Sequence, residues 1–446
     1  MRTMRYSLTL ALGFLLNVSL AQVTTTHPLS SYGIGEYNSG SNGITAALGD
    51  VNSVWIDSSN INFFNPSSYS RLSKGNTLLA LGLESRFSFY NQQEVSEFRT
   101  ATNFNYFSLA FKSTKKSGFA FGLKPYSNVG YEFSESLYTG LDSIRYTYSG
   151  GGNIQDAYLG FSYAPIANKR THLSLGANVS YLFGFVSNER KSELLNADTD
   201  QGGLSQDLTR LASFHYQLGL HFEQAIGKRH TLLLGFTIDP EQSFGGSIEN
   251  SLYTSANINA PSLYDTIFSS NTSGSVKAMT SYEMGFKYKY FFKETKRKST
   301  TRRPNITFAA SYKLNMGIES DFEEIQNWSI GSSNSICLGL SYSPETMLFQ
   351  NVATLKLMEK LNYRVGYFQR QLPSNGQFYV DRGTTFGIGI PILAQMSLSS
   401  LNLAFVLGQK GTGQSDSLKE QYIGFKFGMV FSPSNFEKWF RKRKLD

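Results

Sequence analysis

From Leu173 to Phe185 the residues alternate. Leu173, Leu175, Ala177, Val179, Tyr181, Phe183 and Phe185 are apolar or aromatic, and the intervening positions are mostly small or polar. Successive side chains of an extended strand point to opposite faces, so this segment predicts a strand with one oily face. The pattern returns in Tyr282–Tyr290, Phe214–Phe222 and Ile423–Met429. In these strands the second face carries Gly, Ser, His, Glu283, Lys287 and Lys289. A soluble sheet would not direct such charges into a dry core. Repeated segments of about ten residues, apolar outward and polar inward, predict an all-β chain folded as a transmembrane antiparallel barrel.

A pass along the chain places strands at 76–90, 102–112, 118–132, 154–164, 171–186, 209–225 and 231–248. Others follow at 273–291, 305–318, 327–342, 361–371, 378–392, 399–409 and 421–431. The total is about fourteen, an even number as in bacterial single-chain barrels, with twelve or sixteen as the alternatives. The division expected is a signal peptide at 1–21, an N-terminal hatch or plug at 22–74, the barrel at 75–431 and a basic tail at 432–446.

Arg2 and Arg5, the apolar run from Tyr6 to Val18, and Ser19-Leu20-Ala21 have the order of a secretory signal cleaved near Ala21. Short turns at 113–117, 167–170 and 227–230 alternate with longer linkers at 133–153, 187–208 and 249–272. Lys115, Lys116, Lys169, Arg170, Lys228 and Arg229 lie on the short-turn side, with the basic turn 293–303 and the tail Arg441-Lys442-Arg443-Lys444. Glu94, Glu97, Glu132, Glu135, Asp142, Glu193, Asp198 and Asp200 lie on the other side. Because short turns face the periplasm in such barrels, the net charge of +8 is expected to concentrate at that rim. The basic tail would then meet anionic lipid or a periplasmic partner, and not nucleic acid. A short interfacial helix is an expectation for residues 344–360.

The sequence offers no catalytic constellation, no metal spacing and no cofactor motif. Cys337 has the parity of a passive interior thiol. His215 and His221 share a strand face but lie about 20 Å apart along it at roughly 3.3 Å per residue.

Residues 22–74 are rich in Gly, Ser and Asn, yet they include Val54-Trp55-Ile56 and Phe63-Phe64-Asn65-Pro66. These apolar runs favour a plug inside the barrel over a disordered lead. Ser31-Tyr32-Gly33-Ile34-Gly35, the Gly-rich run to Gly49 and Phe64-Asn65-Pro66-Ser67-Ser68 resemble the hatch of FadL-like outer-membrane transporters of the FadL/TodX type. The likeness is to the version common in Bacteroidota; Ser67 stands where that family's Asn-Pro-Ala motif has Ala.

The resemblance implies a fourteen-stranded barrel in a Gram-negative outer membrane. Its hatch (Phe63, Phe64, Asn65, Pro66, Ser67) would plug the periplasmic end. It further implies passive uptake of hydrophobic small molecules or fatty acids through the lumen, with sideways exit to membrane lipid at a break in the third strand. Pro125 has no ladder N–H, and with Tyr126 and Gly130 it marks the candidate opening; a tolerated bulge is the alternative. Tyr131, Phe133, Tyr138 and Tyr146 are candidates for ligand capture at the outer loops. The competing expectation is a non-transporting structural subunit of an export or assembly complex. It would dock on outer-membrane or periplasmic subunits through the 293–303 turn and the tail. Lumen charges such as Lys124, Glu223, Arg364 and Lys426 suit a greasy channel poorly.

Overall fold

Fourteen antiparallel strands close into a barrel in the computed structural model. It describes residues 25–432, apart from 26, 38–39, 74–76, 94, 139, 141, 196–200, 298–299, 322–328, 345–357, 359, 375–376, 393–398 and 413–416. The segment expected to be a signal peptide, most of the 344–360 segment and nearly all of the basic tail therefore lie outside the described residues.

Strands β1 (Thr77–Gln92), β2 (Val95–Lys112), β3 (Ser117–Tyr138), β4 (Ser143–Ala167), β5 (Thr171–Leu194) and β6 (Gly202–Ile226) follow one another. The next three are each interrupted: β7 (His230–Asp239 and Gln242–Ser255), β8 (Asp265–Ala278 and Ser281–Phe291) and β9 (Asn305–Asn315 and Ile318–Asp321). Strands β10 (Ser333–Ser343), β11 (Asn362–Ser374), β12 (Gln377–Pro391), β13 (Ser400–Gly411) and β14 (Lys419–Phe431) complete the wall. Closure comes from β14 pairing with β1, as in Gly82 with Gly428.

The alternation in sequence becomes the two faces of the wall. Leu175, Val179, Tyr181, Phe183 and Phe185 are exposed on the outside, while Ser174, Asn178 and Ser180 are buried within. An apolar outer surface is stable only in lipid, so the fold is that of an outer-membrane β-barrel.

Two expectations need correction. The linkers expected at 133–153, 187–208 and 249–272 are largely strand, because β4, β5, β6 and their neighbours continue far beyond a bilayer's thickness. About 9–11 residues cross the hydrocarbon, whereas β4 and β6 have 25 each. Above the lipid neither face must be apolar, so the alternating signal fades although backbone pairing persists. The interruptions at Pro240-Glu241, Met279-Thr280 and Met316-Gly317 were also not anticipated. They fall on three adjacent strands and split β6 between two partners, pairing Leu218 with Ile238 below and Leu211 with Gly246 above. The Gln242 side chain bridges this seam. It accepts from the Tyr216 backbone N–H at 2.6 Å and donates to the Tyr216 carbonyl at 3.0 Å.

Candidate functional site: the hatch and the third-strand seam

The chain before β1 threads the whole lumen. Its first described residues lie near the long-strand end, where His27 packs edge-on to Tyr90 and Tyr379. It ends in the 3-10 helix Pro66–Arg71 near the short turns. The hatch therefore extends well beyond the short-turn end to which the resemblance confined it.

Sequence explains the local form of that last helix. Asn65 caps it by accepting from the Ser67 N–H, and Pro66 occupies the first position, where a missing N–H costs nothing. The Asn65 amide also donates to the Ser53 carbonyl at 2.7 Å, tying two hatch turns together. Phe63 is buried against Tyr106 and Tyr158, with Phe64 tilted beside it. Ser67 Oγ lies 3.2 Å from Nδ1 of His221, whose ring stacks on His172. The histidine contact runs across strands β5 and β6, where spacing along one strand does not reveal it.

Ion pairs fix the hatch to the wall. Lys410 on β13 is buried and donates to Glu36 at 2.8 Å. Arg370 on β11 bridges Asp50 of the hatch and Asp381 of β12, the latter at 2.9 Å. Arg71 makes a two-pronged pair with Glu223 at 2.9 and 3.1 Å. Lys426 reaches Ser41 at 3.0 Å, Lys287 donates to the Ile56 carbonyl at 2.9 Å, and Glu283 accepts from the Ser53 N–H at 2.9 Å. Interior glycines let the two backbones touch. A Cβ on Gly366 would collide with Gly49, and one on Gly428 with Gly43. Of the lumen charges that looked wrong for a greasy channel, Glu223, Glu283, Lys287 and Lys426 hold the plug, whereas Lys124 pairs with Asp156 and Arg364 bonds Asn402 within the wall.

Electrostatics at the hatch follow from this packing. Burial alone would raise the Glu36 carboxyl, but Lys410 and Arg86 outweigh it and hold it well below the usual carboxylate range. Burial, reinforced by Lys410, keeps the His27 imidazole well below its ordinary 6.5. His27 thus sits neutral 3.6 Å from Glu420, which Arg86 pairs at 3.0 Å.

The third strand is broken on one side only. Strand β3 pairs with β4 along its whole length, with a register shift between Pro125 and Ser127. With β2 it pairs only from Lys112–Gly118 to Phe107–Leu123. Beyond that point, among the described residues, no strand pairing joins β2 to β3. The hatch strand Glu36–Tyr37 takes the vacated edge instead, pairing with Asn128 and Ser127. Tyr37 meets Tyr126 edge-on at 5.5 Å, and Ser30 hydrogen-bonds both the N–H and the carbonyl of Gly130. Pro125, Tyr126 and Gly130 therefore lie together at the seam, under cover of the hatch.

Above the seam is a cavity of about 1150 Å³, whose lining includes Tyr32, Tyr90, Tyr131, Phe133 and Phe185. Tyr138 and Tyr146 stand apart from it, near the β3–β4 turn. Beside the hatch, cavities of about 110 and 120 Å³ remain. Sites for organic ligands usually measure about 300–1,000 Å³, so the two cavities beside the hatch fall short of ligand size and the upper chamber does not; a groove of about 520 Å³ lies on the outer wall beside Phe89, Tyr367 and Leu407. Among the described residues no group of His, Cys, Asp and Glu is placed to hold a metal.

The chain is thus an outer-membrane β-barrel of fourteen strands whose N-terminal segment runs inside the lumen. A family model described as BamG matches residues 4–446, and the chain belongs to the BamG family. No curated protein matches it in sequence. Similar solved structures include the toluene transporter TbuX of Ralstonia pickettii, 9% identical over 88% of this chain and 98% of that one, with TM-score 0.51. The toluene transporter TodX of Pseudomonas putida is 15% identical over 89% and 98%, with TM-score 0.51. A FadL homologue of Pseudomonas aeruginosa is 11% identical over 89% and 98%, with TM-score 0.52. At these identities the likeness is one of fold.

Proposed function

We propose that the protein is a structural subunit of an outer-membrane export or assembly complex, using the transporter fold as a plugged platform. The observation that carries this reading is the fastening of the hatch. Buried ion pairs and direct backbone contact hold it on many sides, and the cavities beside it are too small for a ligand of ordinary size. A path for cargo would require breaking several buried charge pairs at once, each costly to separate. The family match across the chain, against a likeness of fold alone to the toluene transporters, supports the same reading. The short turns face the periplasm in this proposal. The turn between β8 and β9 suits a docking element, because its Thr295–Arg297 and Thr300–Arg302 form a hairpin of their own.

Affinity isolation from detergent-solubilised membranes tests the reading. Stoichiometric partner subunits are expected, lost when the basic residues of the 293–303 turn are replaced by Ser. A barrel isolated alone with bound lipid would overturn it.

One observation favours a second reading, passive uptake of hydrophobic small molecules. The aromatic chamber leads to a wall whose β2–β3 pairing is interrupted, which is where sideways exit to lipid would occur. Uptake of a hydrocarbon by proteoliposomes, above that of empty vesicles, would establish this reading.

A further inference from the structure

The upper chamber lies where pairing between β2 and β3 stops. Continuing the register of Phe107 with Leu123 sets Arg99 opposite Tyr131 and Glu97 opposite Phe133. Instead of pairing, these residues line a single cavity, together with residues of β1, β4, β5 and the hatch. Among the described residues, the β2 edge from Val95 to Thr102 is paired to β1 on one side only. Edges of this kind template the addition of another strand. The molecule already uses that mode in the same seam, where Glu36–Tyr37 adds to β3.

We infer that the chamber is a docking site for an extended segment of a partner protein, laid as a strand along the β2 edge. Its chemistry follows from the walls. Glu97, Glu132 and Glu189 line the chamber with Tyr131 and Phe133, and Arg99 pairs with Glu97 at 2.6 Å. The surplus of carboxylates among aromatic rings selects a segment alternating basic and apolar side chains. Backbone hydrogen bonds would hold it in register, and every second side chain would face the rings. The partner as the source of the strand rests on the complex-subunit reading; the site itself does not.

The test uses the full-length mature barrel in nanodiscs of neutral lipid, with a fluorescent octapeptide of alternating Val and Lys as probe. Saturable binding is expected. It should weaken at least about tenfold when alternate peptide nitrogens are methylated, since the ladder donors are then removed. A comparable loss is expected with the acidic Val–Glu peptide, and with the Glu132→Lys/Glu189→Lys variant. Absence of binding, or equal binding of the methylated peptide, overturns the site. The methylated comparison uses the parent protein and does not depend on the variant folding. Partner-free barrel from affinity isolation, with peptide binding intact, would refute the complex-subunit reading and leave this site standing.

Discussion

Lys410 and Glu36, far apart in the chain, meet at 2.8 Å and join the thirteenth strand to the hatch. The lysine is wholly buried, with that carboxylate as its salt-bridge partner. Glu36→Gln would strand an ammonium group away from water, a loss of about 3–5 kcal/mol for a buried pair broken on one side. The hatch should loosen rather than the barrel unfold, because wall pairing is untouched. Ion conductance across a planar bilayer should appear in Glu36→Gln and fall again in Glu36→Gln/Lys410→Met. A conducting parent would show that the pair does not seal the lumen.

Acid should act on the hatch through His27. Its folded pKa lies below that of the unfolded chain, so the unfolded state takes up the proton first. The stabilisation is therefore full above about pH 6.5 and is lost progressively as pH falls from there towards the depressed folded value. Glu36, held well below the usual carboxylate range, stays ionised across that window. Conductance or protease access to the hatch should rise between about pH 6.5 and 5 in the parent. In His27→Gln the rise should be absent; an unchanged profile would place the sensitivity elsewhere.

Glycine contacts give a sharper steric test. Gly366→Ala drives a methyl into the Gly49 backbone, whereas Gly245→Ala meets nothing within 4 Å. Overpacking of a closed contact costs about 1–3 kcal/mol. Thermal unfolding should shift down in Gly366→Ala and hold in Gly245→Ala. Equal shifts would mean that the hatch is not pressed against the wall.

What was legible in the sequence was whatever the bilayer imposes. Phe425 and Leu403 must face lipid, so alternation marks their strands, and the strand total followed. Above the lipid that demand ends, which is why the upper part of β4 reads as a loop although Tyr146 still pairs with Ser192. Val54, Trp55, Ile56 and Phe63, apolar residues in a Gly-, Ser- and Asn-rich stretch, stood out as candidates for burial, and they are buried. The fastening of the hatch left little trace, because Glu36 and Lys410 have no periodic relation and Asp50 lies in an unpatterned Gly-rich run. The interior charges Glu223, Glu283, Lys287 and Lys426 were visible as anomalies of the lumen face. Only the fold identified their partners in the hatch.

The two functional readings part over movement of the hatch. Tyr37 and Ser127 are antiparallel partners at the seam, and Cβ atoms of such pairs lie about 4.5–5.5 Å apart, near the span of a disulfide. Tyr37→Cys/Ser127→Cys should therefore oxidise to a staple that pins the hatch to β3. If the protein is a fixed platform, the oxidised form should retain its partners and support growth as well as the reduced form. If hydrophobic cargo leaves through the seam, oxidation should abolish uptake and a reductant should restore it. Such reversible loss of uptake would defeat the platform reading, whereas indifference to the staple would defeat sideways exit past Tyr37.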